Sequence, residues 1–141
     1  VGYCCGPENL MREFIKVHQF NVYSVNHPVQ IALAKYLEEP KHYNLLPKFF
    51  QNKRDFFLTA IATSNFSFKP TEATYFQTLD YSSISNERDV DFAKRLTKEA
   101  GIASIPMSVF NKNQQDNNTL RFCFAKTDET LLKAAKILNK L

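Results

Sequence analysis

The chain reads as an α+β protein in which helices come first and a small, mostly antiparallel sheet follows. Three observations predict this. Apolar residues recur at spacings of three and four through the first 63 residues, the period of helix faces. After Ser64 the pattern turns to alternation and to β-prone clusters such as Thr74-Tyr75-Phe76 and Leu120-Arg121-Phe122-Cys123-Phe124. Helix punctuation stands where starts and stops belong, at Pro7, Asn26, Pro28, Pro40, Gly101 and Thr127. The expected order is three helices and then β-β-α-β-β-α, with a boundary near Ser64 that separates residues 1–63 from 64–141.

The elements follow in turn. Pro7 suits a first helical position, and Leu10, Phe14, Val17 and His18 then share one face. Asn26 caps a second helix with Pro28 in its first turn, Val29, Ala32, Leu33, Tyr36 and Leu37 as its stripe, and Pro40 as its stop. A third and longest helix is expected from Tyr43 to Thr63, with Pro47 tolerable only in its first turn. At 1.5 Å per residue it would span about 30 Å, enough to link two structural units. Phe66 and Phe68 alternate, and Thr74 to Asp80 is β-prone. Ser85 or Asn86 is expected to cap a helix bearing Val90, Phe92, Ala93 and Leu96, which Gly101 stops. Ile102 to Phe110 reads as an edge or irregular strand, because Pro106 cannot donate to a ladder. Asn111 to Asn118 is a polar loop, Leu120 to Ala125 a strand, and Thr127-Asp128 opens a last helix with Leu131, Leu132, Ala135, Leu138 and Leu141 on one side.

Composition narrows the function classes. With 141 residues, 44% hydrophobic and 23% charged, a packed core is expected rather than disorder. No apolar run approaches a membrane span and no signal peptide is visible, so no membrane partner is expected. The net charge of +4 is mild and spread along the chain, which does not point to nucleic acid. Three cysteines, with Cys4 and Cys5 adjacent, make neither a disulfide framework nor a metal spacing, and a reducing cytoplasmic setting is the simplest reading. Three glycines cannot assemble a common phosphate loop. The chain opens at Val1 rather than at a Met, which fits a mature terminus or a fragment.

Few residues carry chemistry by pattern alone. Arg121 is the most informative. Alternation turns Leu120, Phe122 and Phe124 toward a core and leaves Arg121 on the other face with the small residues Cys123 and Ala125. A guanidinium so flanked suits bidentate capture of a carboxylate. Most charged strand residues are simply solvated, so alternation by itself reads Arg121 as a surface residue. His18, His27 and His42 imply no triad, and Cys4 and Cys5 read as inert strand cysteines. Tyr75 and Phe76 read as packing residues.

Several stretches, taken in order, resemble the C-terminal part of a fold-type I pyridoxal-phosphate (PLP) aminotransferase, most nearly the methionine aminotransferase and kynurenine–oxoglutarate aminotransferase group. They are Val1-Gly2-Tyr3-Cys4, Val17-His18-Gln19, Ser24-Val25-Asn26-His27-Pro28-Val29-Gln30, Thr74-Tyr75-Phe76, Ile105-Pro106-Met107-Ser108-Val109-Phe110 and Leu120-Arg121-Phe122-Cys123-Phe124-Ala125-Lys126. The resemblance implies that Arg121 binds the α-carboxylate of an amino acid substrate, which reverses the reading from alternation. It implies that Tyr23, Asn26 and Tyr75 lie near the active site or a homodimer interface, and that the long third helix links a large cofactor domain to a small C-terminal domain at 64–141. It also implies that the Schiff-base lysine and the other PLP-holding groups lie upstream of Val1, so these residues alone are expected to be inactive. The family often carries Gly at the position of Ala73, so a positive φ there would be strained.

The function expected of the parent is transfer of an amino group from methionine-like, aromatic or kynurenine-type amino acids to a 2-oxo acid. The alternative is a non-catalytic interaction or regulatory module that keeps the small domain. For the chain alone, stripes including Phe14, Phe49, Phe50, Phe56 and Phe57 are expected to stay partly exposed.

Overall fold

The structure, a computed structural model, describes residues Val1 to Leu141. Packing divides the chain into two compact units, Val1–Leu46 and Pro47–Leu141.

The first unit holds α1 (Glu8–Asn21), α2 (His27–Leu37) and the short α3 (Lys41–Asn44). Pro7 is the residue before α1, with its fixed φ leading into the first turn. Asn26 caps α2 as its sequence position predicts: its side-chain oxygen accepts from the Val29 N–H at 3.1 Å, and Pro28 fills the first turn, where a missing N–H costs nothing. None of the three helices has a buried residue.

The second unit begins in α4 (Leu46–Ala60). The single helix expected from Tyr43 to Thr63 is therefore broken between Asn44 and Leu46. Pro47 explains the break, since inside a continuous helix it would remove a bond and clash with the preceding turn, whereas near the start of a new one it does neither. The 15 residues of α4 span roughly 22 Å, shorter than the continuous helix would have been. Phe57, Leu58 and Ile61 carry its inner face into the core, so Phe57 is buried at 2% exposure and not partly exposed as its stripe suggests. Phe50 and Phe56 are partly buried against that core, while Phe14 and Phe49 are exposed.

Three strands follow: β1 (Phe76–Asp80), β2 (Ile105–Pro106) and β3 (Thr119–Cys123), in the order β1-β3-β2 with both pairings antiparallel. The expected Phe66–Phe68 strand shrinks to one bridge, Ser67 with Asp80. Between Ile102 and Phe110 only Ile105 and Pro106 pair, at the sheet edge, and the chain then tightens into a 3₁₀ turn over Met107–Phe110. Proline's missing donor confines it to that edge.

The helix α5 (Asp89–Arg95) widens into a π-helical turn, Leu96–Ala100, and stops at Gly101 with φ +71°. Its start differs from expectation. Neither Ser85 nor Asn86 caps it; the Asp89 N–H instead donates to Asp116 Oδ2 at 2.8 Å, from the loop before β3. The last helix, α6 (Asp128–Leu138), is capped by Thr127 as predicted. Its inner stripe is Leu131, Ala135 and Leu138; Leu132 turns outward at 45% exposure, one step around the helix from Leu131. These residues pack with Leu79, Phe92, Leu96, Leu120, Phe122 and Phe124 into one core. No helix is long and apolar enough to cross a membrane.

Candidate functional site

β3 is the middle strand, so its backbone is bonded on both edges and its side chains alternate strictly. Leu120, Phe122 and Phe124 are buried, as alternation predicts. Arg121 lies on the opposite face, in register with Thr78 on β1 and Ile105 on β2.

That face is not the open surface that alternation alone suggests. Arg121 is half-buried, and two aromatic rings cover it. The Phe76 centroid is 4.2 Å from its guanidinium carbon and the Phe110 centroid 4.8 Å. Phe76 sits two residues before Thr78, on the same face of β1, and Phe110 comes from the turn after β2. One ring thus comes from the strand on one side of β3 and the other from the turn that follows the strand on its other side. Cation–π contact of this kind contributes about 0.5–2 kcal/mol and does not satisfy the N–H donors of the cation, which still need an acceptor. No acceptor of this chain meets that need. Arg121 Nε is enclosed without a hydrogen-bond partner, and the carboxylates of the second unit that form ion pairs engage Lys53, Arg54, Lys94, Arg95 and Lys133. A half-buried guanidinium flanked by two aromatic rings and lacking an anion has the chemistry to receive one.

A second layer supports the rings. The Tyr75 ring lies tilted against Phe76 at 4.4 Å and approaches Phe50 at 6.0 Å, and its carbonyl accepts from the Phe124 N–H at 3.0 Å. Tyr75 and Arg121 are therefore brought into one aromatic neighbourhood through Phe76. The backbone just before is strained at Thr74, with φ +69°, and not at Ala73. The turn that carries Phe110 hangs on Asp89, which is wholly buried: its two carboxylate oxygens accept from the Ser108 N–H and the Ser108 hydroxyl, each at 2.7 Å. Asp116, which bonds the Asp89 N–H, also accepts from the Asn118 N–H at 2.7 Å at the entrance to β3. Buried Tyr81 donates to the Glu87 carbonyl at 2.8 Å; burial, reinforced by the negative charges of Asp116 and Asp89, pushes its phenol well above the ordinary tyrosine range.

Asn26 and Tyr23 belong to the first unit. Asn26 spends its side chain on the α2 cap. Tyr23 is 84% exposed with φ +64°, a left-handed position that ends α1 where glycine is the usual occupant. Among the histidines, His18 stacks on Phe14 and His42 on Tyr36, and His27 opens α2. Cys4 and Cys5 are exposed in a segment that joins no sheet, so they are not strand cysteines.

Phe110, Asp89, Ser108 and Asp116 escape a reading by pattern. Phe110 ends the stretch expected as an irregular strand and lies instead in a 3₁₀ turn, and the Asp89–Ser108 bond joins residues 19 apart. The only local signal is Pro106, which foretells an interrupted strand and hence a turn.

No lysine amine of this chain is both enclosed and unpaired. Every lysine is exposed except the half-buried Lys53, whose amine is paired with Asp128 at 2.6 Å. The three glycines lie apart and form no phosphate cradle.

Comparison with known proteins agrees with this architecture. The chain is 46% identical to methionine aminotransferase of Escherichia coli strain K12, a match that covers all of this chain and 37% of that protein. It is 34% identical to kynurenine–oxoglutarate transaminase of Dictyostelium discoideum, covering all of this chain and 38% of that protein. In three dimensions it matches the crystal structure of an Escherichia coli protein identified as having a methionine aminotransferase function, with TM-score 0.92 and 45% identity over 99% of this chain and 37% of the other. It also matches N-succinyldiaminopimelate aminotransferase of Mycobacterium tuberculosis, with TM-score 0.85 and 27% identity over 96% of this chain and 36% of the other. The chain thus spans a little over a third of the length of the relatives it matches. Because residues 1–138, nearly the whole chain, also match the family described as aminotransferase class I and II, the chain belongs to that family.

Proposed function

We propose that this chain is the substrate-carboxylate end of a PLP-dependent aminotransferase, which moves an amino group from methionine-like, aromatic or kynurenine-type amino acids to a 2-oxo acid. Arg121 is the residue that binds the α-carboxylate. The observation that carries this reading is the guanidinium set between Phe76 and Phe110 with an enclosed Nε and no anionic partner. Its planar fork accepts a carboxylate edge-on through two parallel N–H···O bonds, which fixes the orientation of the substrate as well as its position. PLP would supply the electron sink for the reaction when bound. The groups that hold it are proposed to lie in the rest of the whole protein, so the residues described here are inactive alone. Residues 64–141 would be the small domain of that protein. In a homodimer, Tyr23 and Asn26 would lie near the subunit interface and Tyr75 near the active site.

The test is Arg121→Ala in the full-length protein. Loss of a hydrogen-bonded charged contact costs about 1.5–3 kcal/mol, so kcat/KM for amino acids falls roughly ten- to two-hundred-fold. The visible absorbance of the cofactor stays unchanged, because Arg121 does not hold it. Arg121→Lys recovers only part of the loss, since an ammonium cannot reproduce the fork. Loss of cofactor, or equal weakening of carboxylate-bearing and carboxylate-free ligands, would make Arg121 structural. A full-length protein without transaminase activity toward any amino acid would favour the non-catalytic module.

A further inference from the structure

We infer that Asp89 is a positioning residue for Arg121: through Ser108 it holds the Phe110 ring against the guanidinium and so sets the attitude in which a carboxylate is met. This rests on the reading of Arg121 as the carboxylate receptor.

The geometry is specific. Phe110 is 59% exposed, so core packing does not hold its ring in place. It belongs to the Met107–Phe110 turn, in which Ser108 is the one buried residue. Ser108 is anchored by Asp89 alone among side chains, with both carboxylate oxygens engaged at 2.7 Å. Those bonds reach across 19 residues, from the start of α5 to the turn after β2. A carboxylate at 0% exposure that forms no ion pair is costly to bury, and here two donors from one residue satisfy it. The Asp89 backbone adds a second tie, donating to Asp116, which in turn accepts from Asn118 just before β3. One residue therefore references both the strand that bears Arg121 and the turn that bears Phe110. Releasing Ser108 frees the turn, lets the exposed ring leave the cation, and gives the guanidinium a choice of rotamers. A ligand that must meet two N–H groups in one plane is then bound more weakly, whereas a ligand without a carboxylate is not.

The experiment uses the full-length holoenzyme and two half-ligands of methionine as competitive inhibitors. These are 4-(methylthio)butanoate, which keeps the carboxylate, and 3-(methylthio)propylamine, which lacks it. Asp89→Ala and Phe110→Ala are each expected to weaken the carboxylate half-ligand roughly ten-fold, the scale of a small misplacement in a positioned contact, with the amine half-ligand changed less than about two-fold. Asp89→Asn is expected to restore most of the affinity, because its amide oxygen still accepts the Ser108 N–H and its NH₂ can donate to the Ser108 oxygen. Equal weakening of both half-ligands by Asp89→Ala, or none, overturns the inference. If Asp89→Ala does not fold, Phe110→Ala decides, since an exposed ring can be removed without opening the core; unchanged carboxylate affinity in that variant overturns the inference too. Arg121→Ala is run in parallel. If it spares the carboxylate half-ligand, the receptor reading itself falls. If it alone weakens that ligand, only the role of Asp89 falls.

Discussion

Arg121 differs from the other cations of this chain in where its strand lies. On the middle strand of three it is overlooked from both sides, and the residues that overlook it are aromatic rather than acidic. Arg95, by contrast, touches Phe92 but also holds Glu87 at 2.7 Å, so its charge is already answered. The same residue-scale reasoning separates space from backbone shape at Gly101. A methyl group added there would meet nothing within 4 Å, yet the residue sits at φ +71° to close the turn after α5. Gly101→Ala is therefore expected to cost about 1–2 kcal/mol through the left-handed backbone alone. It should appear as a lower urea midpoint of the full-length protein at unchanged slope. A neutral substitution would mean that the turn relaxes to negative φ. Thr74 bears the same kind of strain at φ +69°, and with a branched side chain.

At the scale of elements, α5 is held by groups distant in sequence at its start and by a local clasp near its end. Asp116 satisfies its first N–H, and Glu87 reaches Arg95 in its last turn while also accepting from Ser85. The hydrogen bonds from Arg95, then from Ser85, hold the Glu87 carboxyl below the usual glutamate range, against a smaller opposing effect of burial. The sign follows from linkage. A folded-state value below the unfolded one makes the clasp fully stabilising above the unfolded glutamate value, and that stabilisation is lost as pH falls through the folded value. Arg95→Gln is thus expected to lower stability near neutral pH and to remove part of the acid-side decline, so that mutant and native unfolding midpoints converge as pH drops below the glutamate range. A constant gap between the two midpoints across that window would count against the clasp. The pair is open to solvent on part of its surface, so the effect is expected to shrink in high salt.

At the scale of the molecule, the two units differ in kind. The second has a closed core from Phe57 to Leu138. The first has apolar side chains such as Leu10, Phe14, Val17, Val29, Ile31 and Leu33 exposed along α1 and α2 and no buried residue in any helix. Isolated helices of this length draw their stability from packing of an apolar face, and contiguous exposed apolar surface drives association. The chain taken alone is expected to self-associate. Sedimentation velocity across a hundred-fold dilution, with an aromatic-sensitive dye as second readout, would show concentration-dependent species and dye binding. A single dilution-stable monomer that binds no dye would contradict this.

Local features were legible in the residues alone: the α2 cap at Asn26, the glycine stop at Gly101, the Thr127 cap, the alternation that buries Leu120, Phe122 and Phe124, and through its ordered motifs the family. Each depends on neighbours within a few residues or on a pattern repeated along the chain, and such signals survive without knowledge of the fold. Contacts between residues far apart in the chain settled the rest. Tight turns replaced a strand at Met107–Phe110, because Pro106 withdraws a donor and Ser108 finds its acceptor 19 residues away. Phe57 went inward because it joins the core that Phe122, Leu131 and Leu138 build, all distant from it in sequence. Arg121 is half-buried rather than a solvated surface charge because Phe76 and Phe110, 45 and 11 residues before it, close over it in three dimensions, an arrangement no periodicity records.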